Sequence, residues 1–282
     1  MKTVSHTHTG LTLVIGASGK TGRRVVQKLE ARGLPVRGVS RSTQPAFDWD
    51  DPSGWAATLD GVSQVYITYS PDLSMPQAQP AIRRLVREAR AAGVTRAVLL
   101  SGRGEPDAEA CEQIIRGSGL EWTLVRAAWF NQNFCEGEFA PMVEAGELAL
   151  THGDMPEPFV DADDIADVVV AALTEAGHDG ELYDVTGPRL ITLREVAGEL
   201  AEARGEPLNF IDLPREVFVD GLRNSGLPDE MVQLLDYLFG TVLDGRNAYL
   251  GDGVQRALGR APRDFRDYAR ETAAKRLQPT AA

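Results

Sequence analysis

The segment Val14-Ile15-Gly16-Ala17-Ser18-Gly19-Lys20-Thr21-Gly22 constrains this chain more than any other stretch. It follows the aliphatic run Leu11-Thr12-Leu13 and leads into an amphipathic stretch, residues 23–31, that stops before Gly33. Glycines spaced G-x-x-G-x-x-G permit a tight turn, close backbone approach to a bound group and close packing of helix on strand. The spacing is one residue longer at the front than the common dinucleotide fingerprint. A strand running through such a turn into a helix opens a βα unit, and the helix start offers N–H groups and partial positive charge to a phosphate.

The same alternation continues. Aliphatic or aromatic runs at 36–40, 47–49, 64–68, 96–101 and 122–126 predict strands, and the periodicity over 76–92 and 109–116 predicts helices between them. Parallel neighbours need crossovers, so the pattern predicts an α/β fold: a Rossmann-type doubly wound parallel sheet. Beyond residue 126 the pattern changes. Residues 147–150 and 182–185 read as strands, 165–173 as an apolar helix behind the acids Asp161, Asp163 and Asp164, and Thr192 to Glu195 as a capping box. From Leu213 onward the chain reads as helix-rich. The predicted division is a core over 1–150 and a smaller, helix-rich C-terminal lobe over 151–282 that returns strands to the core.

Net charge argues against a nucleic-acid partner: 29 basic against 41 acidic residues leaves −12, which repels phosphate backbones. The two cysteines, Cys111 and Cys135, form no CxxC pair and read as reduced, packed thiols. His6, His8, His152 and His178 have no metal-ligand spacing, and His6 and His8 read as part of a frayed polar leader. The aliphatic run 168–173 is far short of the roughly 20 residues of a membrane span. The expected protein is cytoplasmic, binds no metal, membrane or nucleic acid, acts on a small molecule, and is a monomer or homodimer.

Gly19-Lys20-Thr21 also ends a triphosphate-binding loop, but that loop needs a glycine where Val14 stands in the strand. Coenzyme choice is read at the end of the second strand, where an acid would hold a ribose hydroxyl. Ser40-Arg41-Ser42 stands there instead. A guanidinium between two hydroxyls suits a 2′-phosphate, which predicts NADP(H), held chiefly by Arg41.

With these residues in view, Gly16 to Gly22 resembles the coenzyme loop of NmrA-like atypical short-chain dehydrogenases/reductases. So do Ser118-Gly119-Leu120-Glu121-Trp122-Thr123, Trp129-Phe130-Asn131-Gln132-Asn133-Phe134 and Val160-Asp161-Ala162-Asp163-Asp164. The tail Leu243-Asp244-Gly245-Arg246-Asn247-Ala248 is similar to the subgroup of ergot-alkaloid iminium reductases, the agroclavine dehydrogenase-like proteins. The resemblance implies a Rossmann core binding NADP(H). It places Gly16, Ser18, Gly19, Lys20, Thr21 and Gly22 on the pyrophosphate and Arg41 on the 2′-phosphate. Thr68, Tyr69 and Ser101 would line the cleft, with Phe130 and Asn131 beside the nicotinamide.

Typical short-chain reductases protonate the product with Tyr-x-x-x-Lys. None of the six tyrosines here has lysine four residues on. Two functions follow from that departure. One is hydride transfer to an acceptor already electron-poor, such as an iminium or a quinone, with Tyr69 and Ser101 as candidate catalytic groups. The other is a catalytically silent NADP(H)-binding redox sensor. The glycine-broken stretch 102–106 reads as a loop over the cleft, where Arg103 and Glu105 could touch ligand, with solvated charges as the favoured reading.

Overall fold

The structure, a computed structural model, describes residues 10–276; His6 and His8 lie outside them. In chain order come β1 (Leu11–Ile15), α1 (Lys20–Ala31), β2 (Val36–Val39), α2 (Trp55–Leu59), β3 (Val62–Ile67), α3 (Ala78–Ala91) and β4 (Arg96–Gly102). Next are α4 (Pro106–Arg116), β5 (Glu121–Ala127), α5 (Ala140–Ala145), β6 (Glu147–Leu150), α6 (Ala162–Thr174), β7 (Glu181–Val185) and α7 (Leu193–Arg204). The remainder holds β8 (Asn209–Asp212), α8 (Arg215–Asn224), α9 (Asp229–Tyr237), α10 (Gly253–Leu258) and α11 (Phe265–Arg276).

Two units interleave along the chain. The first takes the residues up to Ala127, Ala162–Val185 and Gly251–Arg260; the second takes Ala128–Asp161, Thr186–Leu250 and the chain from Ala261 on. The expected division at residue 150 therefore falls inside the second unit. The physical reason is that α6, β7 and α10 return to the first unit's sheet.

That sheet is six-stranded and parallel throughout, in the order β2-β1-β3-β4-β5-β7. Its order reverses between β1 and β3, the switch point where open α/β sheets bind ligands beyond their carboxyl ends. Strands buried on both faces must be apolar on both, which is why they read as continuous aliphatic runs. Leu13, Ile15, Val65, Ile67, Ala97 and Leu99 pack with Ile82 and Leu85 of α3 and Ile115 of α4.

The opposite face carries α1 and α6, which lie against each other. Asp163 meets Arg24 at 3.2 Å and Lys28 at 3.3 Å, and Asp167 meets Lys28 at 2.8 Å, so acids at the start of α6 are shared with basic side chains of α1. Arg96 of β4 donates to the carbonyls of Ala172 and Leu173 at 3.0 and 3.3 Å. Those belong to the last turn of α6, whose carbonyls have no partner within the helix.

Residues 47–49, expected as a strand, form none. Their aromatic side chains are satisfied by ring packing instead: Phe47 stacks on Trp55 at 5.1 Å, and Trp49 meets both rings edge-on. Trp55 Nε1 donates to the Asp48 carbonyl and Trp49 Nε1 to the Thr68 carbonyl, which uses backbone oxygens a sheet ladder would need.

In the second unit, β6 and β8 pair in parallel as a separate two-stranded sheet, with Leu150 opposite Asp212. β8 was not legible in a stretch read as helix-rich. Its core is aromatic, built on Phe134, Phe139, Phe159, Phe239 and Phe265. The capping box forms as expected: Thr192 Oγ1 accepts from the Glu195 N–H, and Glu195 Oε2 accepts from the Thr192 N–H. Among the described residues no helix is long and apolar enough to cross a membrane, and no group of side chains could hold a metal ion.

Candidate functional site

The turn after β1 is built around its glycines. Gly16 has φ +76°, and a Cβ there would lie 2.1 Å from Thr68 Oγ1. Thr68, just beyond β3, uses that hydroxyl to donate to the Ile15 carbonyl at 2.9 Å, so it braces the turn. The Gly16 and Ala17 N–H groups donate to the Val39 carbonyl of β2 at 2.9 and 3.0 Å. Gly22, in the first turn of α1, is packed so closely that a Cβ would stand 2.1 Å from the Gly16 carbonyl oxygen.

The start of α1 is arranged for an anion. Its N-cap, Gly19, offers no side-chain cap, and the first turn holds no acidic residue. Such a terminus leaves N–H groups and the positive end of the helix dipole to a ligand. A phosphate suits this helix start. Ser18 and Gly19 are exposed, while Thr21 is buried and its hydroxyl accepts from Tyr66 at 3.0 Å. Accepting from Tyr66 leaves the Thr21 hydroxyl its own hydrogen to donate, alongside the backbone N–H. Burial pushes the Tyr66 hydroxyl well above the ordinary phenol range.

At the end of β2 the chain turns on its own hydroxyls. Ser40 Oγ and Ser42 Oγ lie 3.1 Å apart, and Thr43 Oγ1 accepts from the Ser40 N–H and donates to its carbonyl, both at 2.9 Å. Ser40 and Ser42 are thus partly occupied by each other. Arg41 is exposed and has no ion-pair partner among the described residues.

The carboxyl end of β4 differs from expectation. Arg103 and Glu105 are not solvated: they are 2% and 6% exposed. Arg103 Nε lies 2.7 Å from Asp184 Oδ1 of β7, so the loop folds back onto the sheet and its charge is paired there. Ser101, 4% exposed, has no hydrogen-bond partner for its Oγ. The Glu105 carboxyl lies over Gly102, with Oε1 1.9 Å from where a Cβ would be, and Oε2 is buried without a partner. Burial, with the Asp72 carboxylate beside it, pushes the Glu105 carboxyl up to about 9. The burial of Glu105 is the site feature that sequence reasoning missed. The available signal was its place between a glycine-broken turn and Pro106, the first residue of α4, where the chain is steered inward.

Tyr69 is half-buried against Trp49, ring centres 4.8 Å apart, and burial holds its hydroxyl above the usual phenol range. Burial likewise pushes the Cys111 thiol up to about 12, which makes it inert. Arg126 of β5 donates to both oxygens of the buried Glu112, at 2.9 and 2.6 Å, a bidentate pair that anchors the glutamate to the sheet.

In the second unit, the Asn131 N–H donates to the Val160 carbonyl at 2.8 Å, beside the bridge between Phe130 and Val160. The Asn131 side chain is 0% exposed, and neither amide atom has a partner among the described residues. Trp129 packs edge-on against Phe239 at 4.9 Å. His152 adopts φ 60° and contacts Thr151.

A parallel sheet whose switch point carries a glycine turn and an uncapped, acid-free helix start is that of a dinucleotide-binding α/β protein. Residues 16–176 match the family model described as NAD(P)H-binding, and the chain belongs to that family. It is 34% identical to the (4-alkanoyl-5-oxo-2,5-dihydrofuran-3-yl)methyl phosphate reductase of Streptomyces griseus, covering 93% of this chain and 98% of that protein. It is 28% identical to the agroclavine dehydrogenase of Claviceps fusiformis, covering 91% and 95%. The fold superposes on the Citrobacter sp. triphenylmethane reductase complexed with NADP(H) with a TM-score of 0.76, at 20% identity over 93% of this chain and 99% of that one. The chain is an NAD(P)H-dependent oxidoreductase.

Proposed function

We propose that this chain reduces a small, planar, electron-poor organic acceptor of iminium or quinone type, with NADPH preferred over NADH. Bound coenzyme would supply the hydride. The chain's part is to hold it: Gly16, Ser18, Gly19, Lys20, Thr21 and Gly22 on the pyrophosphate, and Arg41 on the 2′-phosphate. Thr68 shapes the turn from below, and Ser101 offers a buried hydroxyl at the strand end. The roles of Phe130 and Asn131 beside the nicotinamide rest on the family resemblance. One observation carries the acceptor class: an intact coenzyme turn stands beside strand ends with no lysine-activated tyrosine. An acceptor that needs no such pair is one whose own electrophilicity drives hydride uptake. The Streptomyces griseus relative reduces an oxo-dihydrofuran bearing an alkanoyl group, an electron-poor ring of that kind.

The test is loss of NADPH absorbance across a panel of quinones and cyclic iminium salts. Turnover with a panel member, abolished in Gly19→Glu, supports the reading. Tight NADPH binding with no turnover on any member favours the redox sensor. Coenzyme preference is tested separately. Exchanging a charge-assisted contact for a repulsive one costs about 1.5–3 kcal/mol, or roughly 10- to 100-fold in affinity. Arg41→Glu is expected to weaken NADPH by that factor and leave NADH within about threefold. Equal changes for both coenzymes would remove Arg41 from the 2′-phosphate.

A further inference from the structure

We infer that Glu105 is the proton donor of this site, and that its acceptors are therefore those left anionic by hydride uptake, such as quinones and conjugated carbonyls. The assignment rests on the reductase reading above and narrows it, because an iminium is neutralised by hydride and asks for no acid.

The placement comes first. In the first unit, β3 and β4 are neighbours, and ligands of open α/β sheets gather beyond such carboxyl ends. Glu105 sits three residues past the end of β4, folded back over Gly102, where the missing Cβ makes room for its carboxyl. Ser101, the penultimate residue of β4, has a buried hydroxyl with no partner among the described residues. Buried polar atoms in folded proteins are nearly always bonded, so the unpartnered Ser101 hydroxyl, on the strand end that carries Glu105, marks a place a ligand would complete.

The chemistry suits an acid rather than a base. The charged group acting on Glu105 is Asp72, from the segment between β3 and α3, and it favours the protonated form. Asp72 also acts on Cys111 of α4, as do Asp107, Glu112 and Arg83, and Cys111 in turn acts on Tyr69. Arg103, the nearest cation in the chain, is committed to Asp184. A carboxyl so placed keeps its proton at neutral pH, as a general acid must.

The step balances without a further reagent. Bound NADPH would supply the hydride, its carbon–hydrogen bond breaking and NADP+ being left, as one bond to hydrogen forms on the acceptor and the acceptor's oxygen becomes an oxyanion. The Glu105 O–H bond breaks as the new O–H bond of the product forms. The resulting Glu105 carboxylate regains its proton from solvent after product leaves.

Glu105→Gln keeps the shape and removes the transferable proton. Its kcat on a benzoquinone is expected to fall about 100-fold, the scale of general acid catalysis. The fall on a preformed cyclic iminium should be smaller by at least about tenfold, with the NADPH Kd within about twofold of wild type. Wild-type kcat on the quinone should decline at alkaline pH, and that limb should vanish in the variant. Infrared difference spectra of wild type against variant, taken without acceptor, should show the carbonyl stretch of a protonated carboxyl at neutral pH. Gly102→Ala, which displaces the carboxyl without removing it, should reproduce the quinone defect. Quinone turnover within threefold of wild type, equal losses on quinone and iminium, or an ionised carboxyl at neutral pH would each overturn the assignment alone. A wild-type protein that binds NADPH and reduces no acceptor overturns the proposed function, and this assignment with it.

Discussion

Gly22→Ala is expected to abolish coenzyme binding and to destabilise the fold. The added Cβ would stand 2.1 Å from the Gly16 carbonyl oxygen and 2.7 Å from its carbon, both backbone atoms. Side chains can rotate away from an intruding methyl; a carbonyl locked into the turn cannot. Gly16 is fixed by its N–H bond to Val39 and by the Gly19 N–H on its oxygen, so relief means prising α1 off the turn. Overpacking of this kind costs about 1–3 kcal/mol. The same displacement swings the N–H groups at the start of α1 away from where a pyrophosphate would sit, and affinity for NADPH should fall at least about 100-fold. Gly33→Ala is the control. Gly33 has φ +68° with open space around its Cα, so alanine there meets only backbone strain of about 1 kcal/mol. Its NADPH affinity should match wild type. Urea denaturation and fluorescence titration of the three proteins read both effects, and wild-type affinity in Gly22→Ala would refute the account of this turn.

The contrast between those glycines shows what was legible beforehand. Gly16, Gly19 and Gly22 could be read because a local turn dictates them, and the strands around them because parallel strands are apolar on both faces. The run 47–49 has the same aromatic signature as a strand, yet Trp49 and Trp55 direct their N–H groups to loop carbonyls and the segment packs as a ring cluster. Composition alone does not distinguish the two. β8 escaped notice because Asn209, Ile211 and Asp212 are exposed, so its pattern lacks the buried face that marks a strand. Burial of Arg103 and Glu105 depends on Asp184 and Asp72, which are distant in sequence from that loop. The pairing of β7 with β5 spans more than 50 intervening residues, yet the strand pattern at 182–185 was legible and a return of strands to the core was expected.

The buried carboxyl at Glu105 carries a stability consequence that can be measured without any acceptor. In the unfolded chain it ionises near 4.5, whereas in the fold it holds its proton up to about 9. Between those values the folded protein binds the extra proton, so stability falls as pH rises through that window. Below it both states are protonated and the penalty disappears. Glutamine stays neutral in both states and escapes the slope. Glu105→Gln should therefore be more stable than wild type at about pH 8, by on the order of 5 kcal/mol, with the gap closing towards about pH 4.5. Urea denaturation of both proteins across that range reads the difference as a shift in midpoint at constant slope. A gap that does not change with pH, or a variant less stable than wild type at every pH, would mean the carboxyl is ionised in the fold. A substitution that strengthens the protein while removing its acid is the trade-off expected where a strained group is retained for chemistry. A residue kept only for packing would show the opposite sign.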